Sequence, residues 1–170
     1  QYQGKFFQLS DVLGVDKEVS FTLSHDKYNT VDPNHFIVED IEGEIDFGEG
    51  MASIYGHGEN YQIIRQHKEF AQLVTNTYGA GRSVYLAGLP YSPQNCRLLL
   101  RAIYWAAAKE DEMKKYYVDN VNAEVAAFEA VGKIVVINNS LDALDTHLYV
   151  EGNLREKLRL APMEMRWLDI

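Results

Sequence analysis

Asp46-Phe47-Gly48 has the residue types with which protein kinases hold a catalytic metal ion. That chemistry also needs a strand lysine and a His-Arg-Asp catalytic loop upstream, and neither is present, so the triplet is read as chance. Gly79-Ala80-Gly81 has the spacing with which a dinucleotide fingerprint opens. The fingerprint needs its glycines between a strand and a helix N-terminus, where backbone N–H groups meet a pyrophosphate. Here they lead from strand to strand and the third glycine is absent, so a hairpin turn is the preferred reading. Ser24-His25-Asp26 holds the types of a hydrolytic triad, but adjacent strand residues point to opposite faces, and no Gly-x-Ser-x-Gly elbow exists. The five histidines, His25, His35, His57, His67 and His147, show no His-x-x-x-His spacing and no cysteine cluster accompanies them. A metal site is therefore not expected.

Arg97 and Arg101 stand one helical turn apart and can hold an anion. Acidic residues outnumber basic ones by 25 to 16, which favours a structural ion pair instead. Asn138-Asn139-Ser140 matches a glycosylation sequon, which has meaning only in a secreted chain. Carboxylates concentrate in Glu39–Glu49, where solvent is expected to keep them ionised and useless as general acids. The geometry of a paired-acid glycosidase cannot be read from such spacing. Taken by type and spacing, these residues assign no catalytic, substrate-binding or metal-binding position.

The elements that carry these residues are organised around Gly79–Glu110. It reads as a glycine turn, a short apolar strand at Ser83–Ala87, a Gly/Pro loop and a long helix. Ser92 is placed as N-cap and Pro93 as the first helical residue. At 100° per residue, Cys96, Leu99, Leu100, Ile103, Ala106 and Ala107 form one apolar face, expected to lie on a sheet. Leu98, Ala102 and Trp105 form a second apolar side, expected to be buried away from that sheet against the C-terminal region or another subunit. Arg97, Arg101 and Tyr104 are left as a narrow polar stripe.

Before this stretch, Lys5–Leu13 reads as a short helix capped by Gly14, and Glu18–Ser24 as a half-buried strand. Tyr28–Asn34 is turn-rich, His35–Val38 is a short apolar run, and Glu39–Gly50 is read as a solvated loop. Ser53–Gly56, Tyr61–Arg65 and Phe70–Tyr78 read as strands. The charged run Lys109–Lys115 is expected to mark a boundary. Beyond it come strand-like runs at Tyr116–Val118, Ala123–Phe128, Lys133–Ile137 and Thr146–Val150, with turns at Asn138–Ser140 and Glu151–Asn153. A last run passes Leu158 and Leu160, then Pro162, then Met163, Met165 and Trp167; the proline suggests a bulge or an edge strand. This region reads as a small antiparallel β-domain, and its aromatics, Tyr116, Tyr117, Tyr149 and Trp167, are expected in its core.

Composition narrows the function class. The 170 residues suit one or two domains, and the 46% apolar share is a globular value. A net charge of −9 argues against nucleic-acid or anionic-membrane partners, both of which need a positive surface. The single cysteine, Cys96, permits no internal disulfide and suggests a reducing compartment. Beginning at Gln1 and entering a structural pattern at once, the sequence reads as a piece of something longer.

Several longer segments carry a resemblance. Gly4-Lys5-Phe6-Phe7-Gln8-Leu9-Ser10-Asp11-Val12-Leu13-Gly14-Val15-Asp16-Lys17-Glu18, Asp46-Phe47-Gly48-Glu49-Gly50, Ala87-Gly88-Leu89-Pro90-Tyr91-Ser92 and Leu160-Ala161-Pro162-Met163-Glu164-Met165-Arg166-Trp167-Leu168 are similar to segments of the 1,3-β-galactosyl-N-acetylhexosamine phosphorylases, also called lacto-N-biose phosphorylases. The resemblance implies a parent bacterial, cytoplasmic enzyme of three parts: an N-terminal TIM-like barrel, a glutamine-amidotransferase-like α/β domain and a small β-domain. It places 1–111 in the second half of the α/β domain and 112–170 in an antiparallel β-sandwich-like domain.

The implied reaction is reversible phosphorolysis of a β-galactosyl-(1→3)-N-acetylhexosamine to galactose 1-phosphate with inversion. It uses one general acid, with phosphate as nucleophile and no metal or other cofactor. That acid belongs to the barrel, so the resemblance puts no catalytic residue on this sequence and implies that the fragment alone is inactive. Implied partners are the rest of the enzyme and, in a homo-oligomer, further copies; the disaccharide and phosphate would bind the parent. The alternatives are a freestanding oligomerisation or interaction module, a trimerisation region of the β-galactosidase type, and a carbohydrate-binding β-domain.

Overall fold

A computed structural model describes residues 5–19, 31–68 and 70–170. The expected strand across Glu18–Ser24 and the Ser24-His25-Asp26 triplet lie wholly or mostly outside these residues. The chain divides into two compact units, Gln1–Ala108 and Lys109–Ile170.

The first unit is built on an antiparallel sheet of β3 (Tyr61–His67), β4 (Phe70–Tyr78) and β5 (Gly81–Leu86), with β4 in the middle. Both faces of this sheet are covered. Ile64 and Leu73, with Val84 and Leu86, join Ile37, Val38, Phe47, Leu98 and Ala102 in one cluster. Ile63 and Val74, with Tyr85, join Val15 and Ile54 in a second. Two-sided burial explains why β4 carries successive buried residues rather than a clean alternation. The second face is closed by α1 (Ser10–Leu13) and the two-stranded pair β1 (Val15–Lys17) and β2 (Ile54–Gly56). The helix expected over Lys5–Leu13 is shortened to its last turn, with Gly14 in the left-handed conformation after it. At the edge of β3, Val31 makes an isolated parallel bridge to Ile63.

The turn between β4 and β5 follows the glycine pattern. Tyr78 pairs with Gly81, leaving Gly79 and Ala80 as the connection, and Gly79 has φ +58°. A left-handed first residue matches the twist of a two-residue hairpin, which is why glycine stands there.

The first face is closed by α2 (Pro93–Ala106), which begins as expected: the Ser92 hydroxyl accepts the Asn95 N–H at 3.1 Å, and Pro93 follows. Its orientation is the reverse of the expectation. Leu98 is fully buried against the sheet with Ala102, and Trp105 packs partly against the same cluster. The face assigned to the sheet looks outward, with Leu99, Leu100 and Ile103 exposed by 43, 44 and 56%. Arg97 and Arg101, assigned to a polar stripe, are buried.

Two segments ahead of β2 feed the same cluster. His35–Val38 is a 3-10 turn over Phe36–Val38 whose start is capped by His35 Nδ1 accepting the Ile37 N–H at 3.2 Å. The acidic segment Glu39–Gly50 is a loop but not simply solvated: Phe47 is buried, and Ile41 and Ile45 pack beside it. Asn95 fastens this loop by donating from Nδ2 to the carbonyls of Asp46 at 2.9 Å and Pro90 at 2.7 Å. A Cβ on Gly88 would stand 2.4 Å from the Phe47 carbonyl oxygen, so only glycine permits this approach.

The second unit opens with a short helix, α3 (Glu110–Lys115), within the charged run that was read as a boundary. Two antiparallel sheets follow. One orders β10 (Asn153–Leu160), β9 (Leu144–Val150) and β6 (Tyr116–Val118), and the other β11 (Met165–Asp169), β8 (Lys133–Asn138) and β7 (Ala123–Phe128). One core draws on both: Val118, Leu144, Leu148, Leu158 and Leu160 from the first and Ala123, Ile134 and Val136 from the second. Pro162 is neither a bulge nor part of a strand; it lies in the connection that carries the chain from one sheet to the other. Trp167 is not core. It is 57% exposed and stands 5.6 Å, ring centre to ring centre, from the exposed Phe128. Among the described residues, no helix is long and apolar enough to cross a membrane.

Candidate functional site

Three clusters gather the side chains capable of chemistry, one of them against α2 and the others in the second unit. The first is the arginine pair. Arg101 is 2% exposed; its Nη2 donates to Glu39 Oε2 at 2.7 Å and its Nε to the Phe36 carbonyl at 2.5 Å. Nε also lies 3.3 Å from Asp40 Oδ1, and the guanidinium stands 4.2 Å from the centre of the Phe36 ring. Arg97 Nη1 reaches Asp40 Oδ2 at 3.4 Å. Two guanidiniums therefore face two carboxylates, a carbonyl and an aromatic ring. Their charge is matched internally by Glu39 and Asp40, so the pair ties α2 to Phe36–Asp40 rather than presenting a phosphate cradle. The structural reading of Arg97 and Arg101 is the one the geometry supports.

The second cluster escaped sequence reasoning. Asp119, just after β6, accepts the His147 N–H at 2.9 Å and the Thr146 hydroxyl at 3.0 Å on Oδ1, while Oδ2 meets His147 Nδ1 at 2.7 Å. Burial pushes this carboxyl up, but the bonds from His147 and Thr146 together outweigh it and hold Asp119 below the usual aspartate range. An aspartate that fixes a histidine ring is one half of a general-base arrangement. Its other half, a hydroxyl or thiol on Nε2, is not found among the described contacts. Only the antiparallel pairing of β6 with β9, Val118 opposite Leu148, brings Asp119 to His147, and no local signal announces that pairing.

The third is a groove of about 500 Å³ lined by Asp111, Glu112, Lys114, Lys115, Glu151 and Gly152. Its charges are mixed and it includes neither Asp119 nor His147, so the groove and the aspartate–histidine pair do not form one site.

The remaining sequence candidates are placed elsewhere. Asp46 is exposed and turned into its own loop, Oδ1 accepting the Gly48 N–H at 2.7 Å, while Phe47 serves the core. His57 meets Asp11 at 3.0 Å, and that carboxyl is held low by bonds from Lys5 and His57. Asn138 of the sequon is fully buried. Its Nδ2 donates to the carbonyls of Asp142 and Ala161, each at 2.8 Å, so its amide is closed to a glycan. Among the described residues, no three His, Cys, Asp or Glu side chains converge as metal ligands.

Comparison with known proteins identifies the family. Residues 1–111 match the lacto-N-biose phosphorylase central domain, and residues 116–168 match the lacto-N-biose phosphorylase C-terminal domain. The chain belongs to the lacto-N-biose phosphorylase family. It is 44% identical over 168 residues to a 1,3-β-galactosyl-N-acetylhexosamine phosphorylase of Lachnoclostridium phytofermentans, covering 98% of this chain and 23% of that one. It is 36% identical to the 1,3-β-galactosyl-N-acetylhexosamine phosphorylase of Bifidobacterium longum, covering 98% of this chain and 26% of that one. A D-galactosyl-β-1→4-L-rhamnose phosphorylase of Lachnoclostridium phytofermentans is more distant, at 28% identity over 89% of this chain. The chain thus spans about a quarter of the length of these phosphorylases.

Proposed function

We propose that the chain is the non-catalytic C-terminal region of a disaccharide phosphorylase and serves it as scaffold and subunit contact. The parent reaction is reversible, inverting phosphorolysis of a β-galactosyl-(1→3)-N-acetylhexosamine to galactose 1-phosphate and the N-acetylhexosamine. One observation carries the reading: the central and C-terminal domain models match in order along a chain that covers only 23% of its relative's length. The general acid, the phosphate pocket and the sugar contacts then lie in an N-terminal barrel, and no residue here is catalytic. The internal matching of Arg97 and Arg101 supports this, since it leaves phosphate without a buried guanidinium in α2.

In this reading residues 1–111 are the second half of an amidotransferase-like α/β domain. The parallel bridge of Val31 to Ile63 supports it, because it gives the β3 edge the start of a parallel extension. Residues 112–170 form a β-sandwich-like domain, two sheets sharing one core. The parent is a bacterial cytoplasmic homo-oligomer that needs no cofactor. Reading the gene upstream of the codon for Gln1 tests this. An open frame continuing into a sequence alignable with the first three-quarters of the relatives is expected; a start codon at that point would establish a freestanding module instead. The exposed Trp167–Phe128 pair favours one second reading, a carbohydrate-contacting face, whose sign would be galactoside binding by the chain itself.

A further inference from the structure

The charge pattern of α2 is inverted for a helix that faces solvent. Between Pro93 and Ala106 the charged residues are Arg97 and Arg101, and both are buried in ion pairs. The outward half carries Cys96, Leu99, Leu100, Ile103 and, just past the helix, Ala107, with no charge among them. A solvated helix face carries its charges outside, and one that is apolar outside belongs against another surface.

Resting on the reading of the chain as part of a larger phosphorylase, we propose that this outward face is closed by an uncharged, apolar surface of the polypeptide that precedes residue 1 in the parent enzyme. Size favours a covalently joined neighbour over a second copy as the occupant of this face. A 14-residue helix is about 21 Å long and 10 Å wide, so its outward face offers on the order of 200 Å². A stable pair of separate chains needs about 800 Å² from each partner. A covalently joined neighbour meets the face at high effective concentration and needs no such area. Relatives supply such a neighbour: about three-quarters of their length lies outside the match, and the match ends in the C-terminal domain, so the remainder precedes it.

Cys96, the only cysteine, stands exposed on this face and reports on it. The test joins the preceding region of the 44%-identical relative, with its own cysteines replaced, to this chain as one polypeptide. The rate of Cys96 with a thiol-disulfide reagent is then compared between the hybrid and the 170-residue chain. At least a tenfold slower reaction in the hybrid is expected. The double substitution Leu100→Glu/Ile103→Glu is expected to restore the fast rate while leaving the melting temperature of the 170-residue chain within 2 °C. The milder Leu99→Ser serves where the double variant fails to fold in the hybrid. Equal rates in hybrid and chain overturn the inference, as does a chain that dimerises alone with Cys96 protected. Phosphorolysis by the hybrid reads the parent assignment separately. An active hybrid with reactive Cys96 sinks only the interface, whereas an inactive hybrid with reactive Cys96 sinks both.

Discussion

Replacing Arg101 with methionine keeps much of the side chain's length and apolar stem but removes the guanidinium from the α2 cluster. Four interactions go together: the bond to Glu39 at 2.7 Å, the bond to the Phe36 carbonyl at 2.5 Å, the ion pair with Asp40 at 3.3 Å and the stack on the Phe36 ring at 4.2 Å. Breaking a buried ion pair from one side costs about 3–5 kcal/mol, because the remaining charge is stranded. Two features of the cluster reduce this. Glu39 is half exposed and can be rehydrated, and Asp40 keeps Arg97 at 3.4 Å. A loss of about 3 kcal/mol is expected. For a unit the size of Gln1–Ala108, that lowers the melting temperature by roughly 10–20 °C. The chain has two tryptophans, Trp105 in the first unit and Trp167 in the second, so a Trp167→Phe background leaves fluorescence reporting on the first. Urea unfolding of Arg101→Met and Arg101→Lys in that background gives the numbers. Lysine keeps the charge but loses the planar fork and the stack, and is expected to fall between methionine and arginine. A midpoint change worth less than about 0.5 kcal/mol for methionine would show that the cluster behaves as a solvated surface pair and refute the reasoning.

The orientation of α2 is checked by paired truncations in the same assay: Leu98→Ala is expected to cost about 3–5 kcal/mol and Leu100→Ala less than about 1. Equal costs would contradict the buried and exposed assignments. Gly79→Val is expected to destabilise by more than about 1 kcal/mol; no atom lies within 4 Å of the new Cβ, so the whole effect comes from forcing a β-branched residue to φ +58°. An unchanged midpoint would mean that the turn relaxes. Asp119 titrates in the folded chain below its unfolded value, so its stabilisation is present above about pH 4 and is lost as pH falls through the lowered folded value. Asp119→Asn, followed by Trp167 fluorescence, is therefore expected to lower stability at pH 7 and flatten the acid limb; an acid limb parallel to that of the unsubstituted chain would exclude this carboxylate.

What was legible in the sequence follows from the range of the signals. Helix caps and hairpin turns are local, and Ser92-Pro93, Gly14 and Gly79-Ala80-Gly81 announced their structures through backbone preferences acting over a few residues. Strands β4, β6 and β7 were read to their ends for the same reason. Which side of α2 meets the sheet was not legible. Periodicity finds an apolar face but does not say whether the sheet or an absent partner covers it, and arginines that pair with Glu39 and Asp40, 62 and 57 residues away, look like solvent contacts. The same ambiguity put Trp167 in the core: alternation marks two faces of a strand, and in β11 Met165 and Trp167 lie on the outer one while Leu168 packs inward. Asp119 and His147 were invisible as a pair because the pairing of β6 with β9 joins residues 28 apart. The family was legible too, through segments such as Leu160–Leu168, and the matches to the central and C-terminal domains bear that resemblance out.

The central proposal is that this region belongs to a phosphorylase without itself performing the reaction. The most direct measurement incubates the purified 170-residue chain with β-galactosyl-(1→3)-N-acetylglucosamine and phosphate and follows galactose 1-phosphate, beside the full-length Bifidobacterium longum relative as positive control. The account expects no product from the chain above background while the full-length enzyme turns over. Galactose 1-phosphate formed by the chain alone, and abolished by Asp46→Asn or Glu49→Gln, would contradict it and make this a catalytic domain.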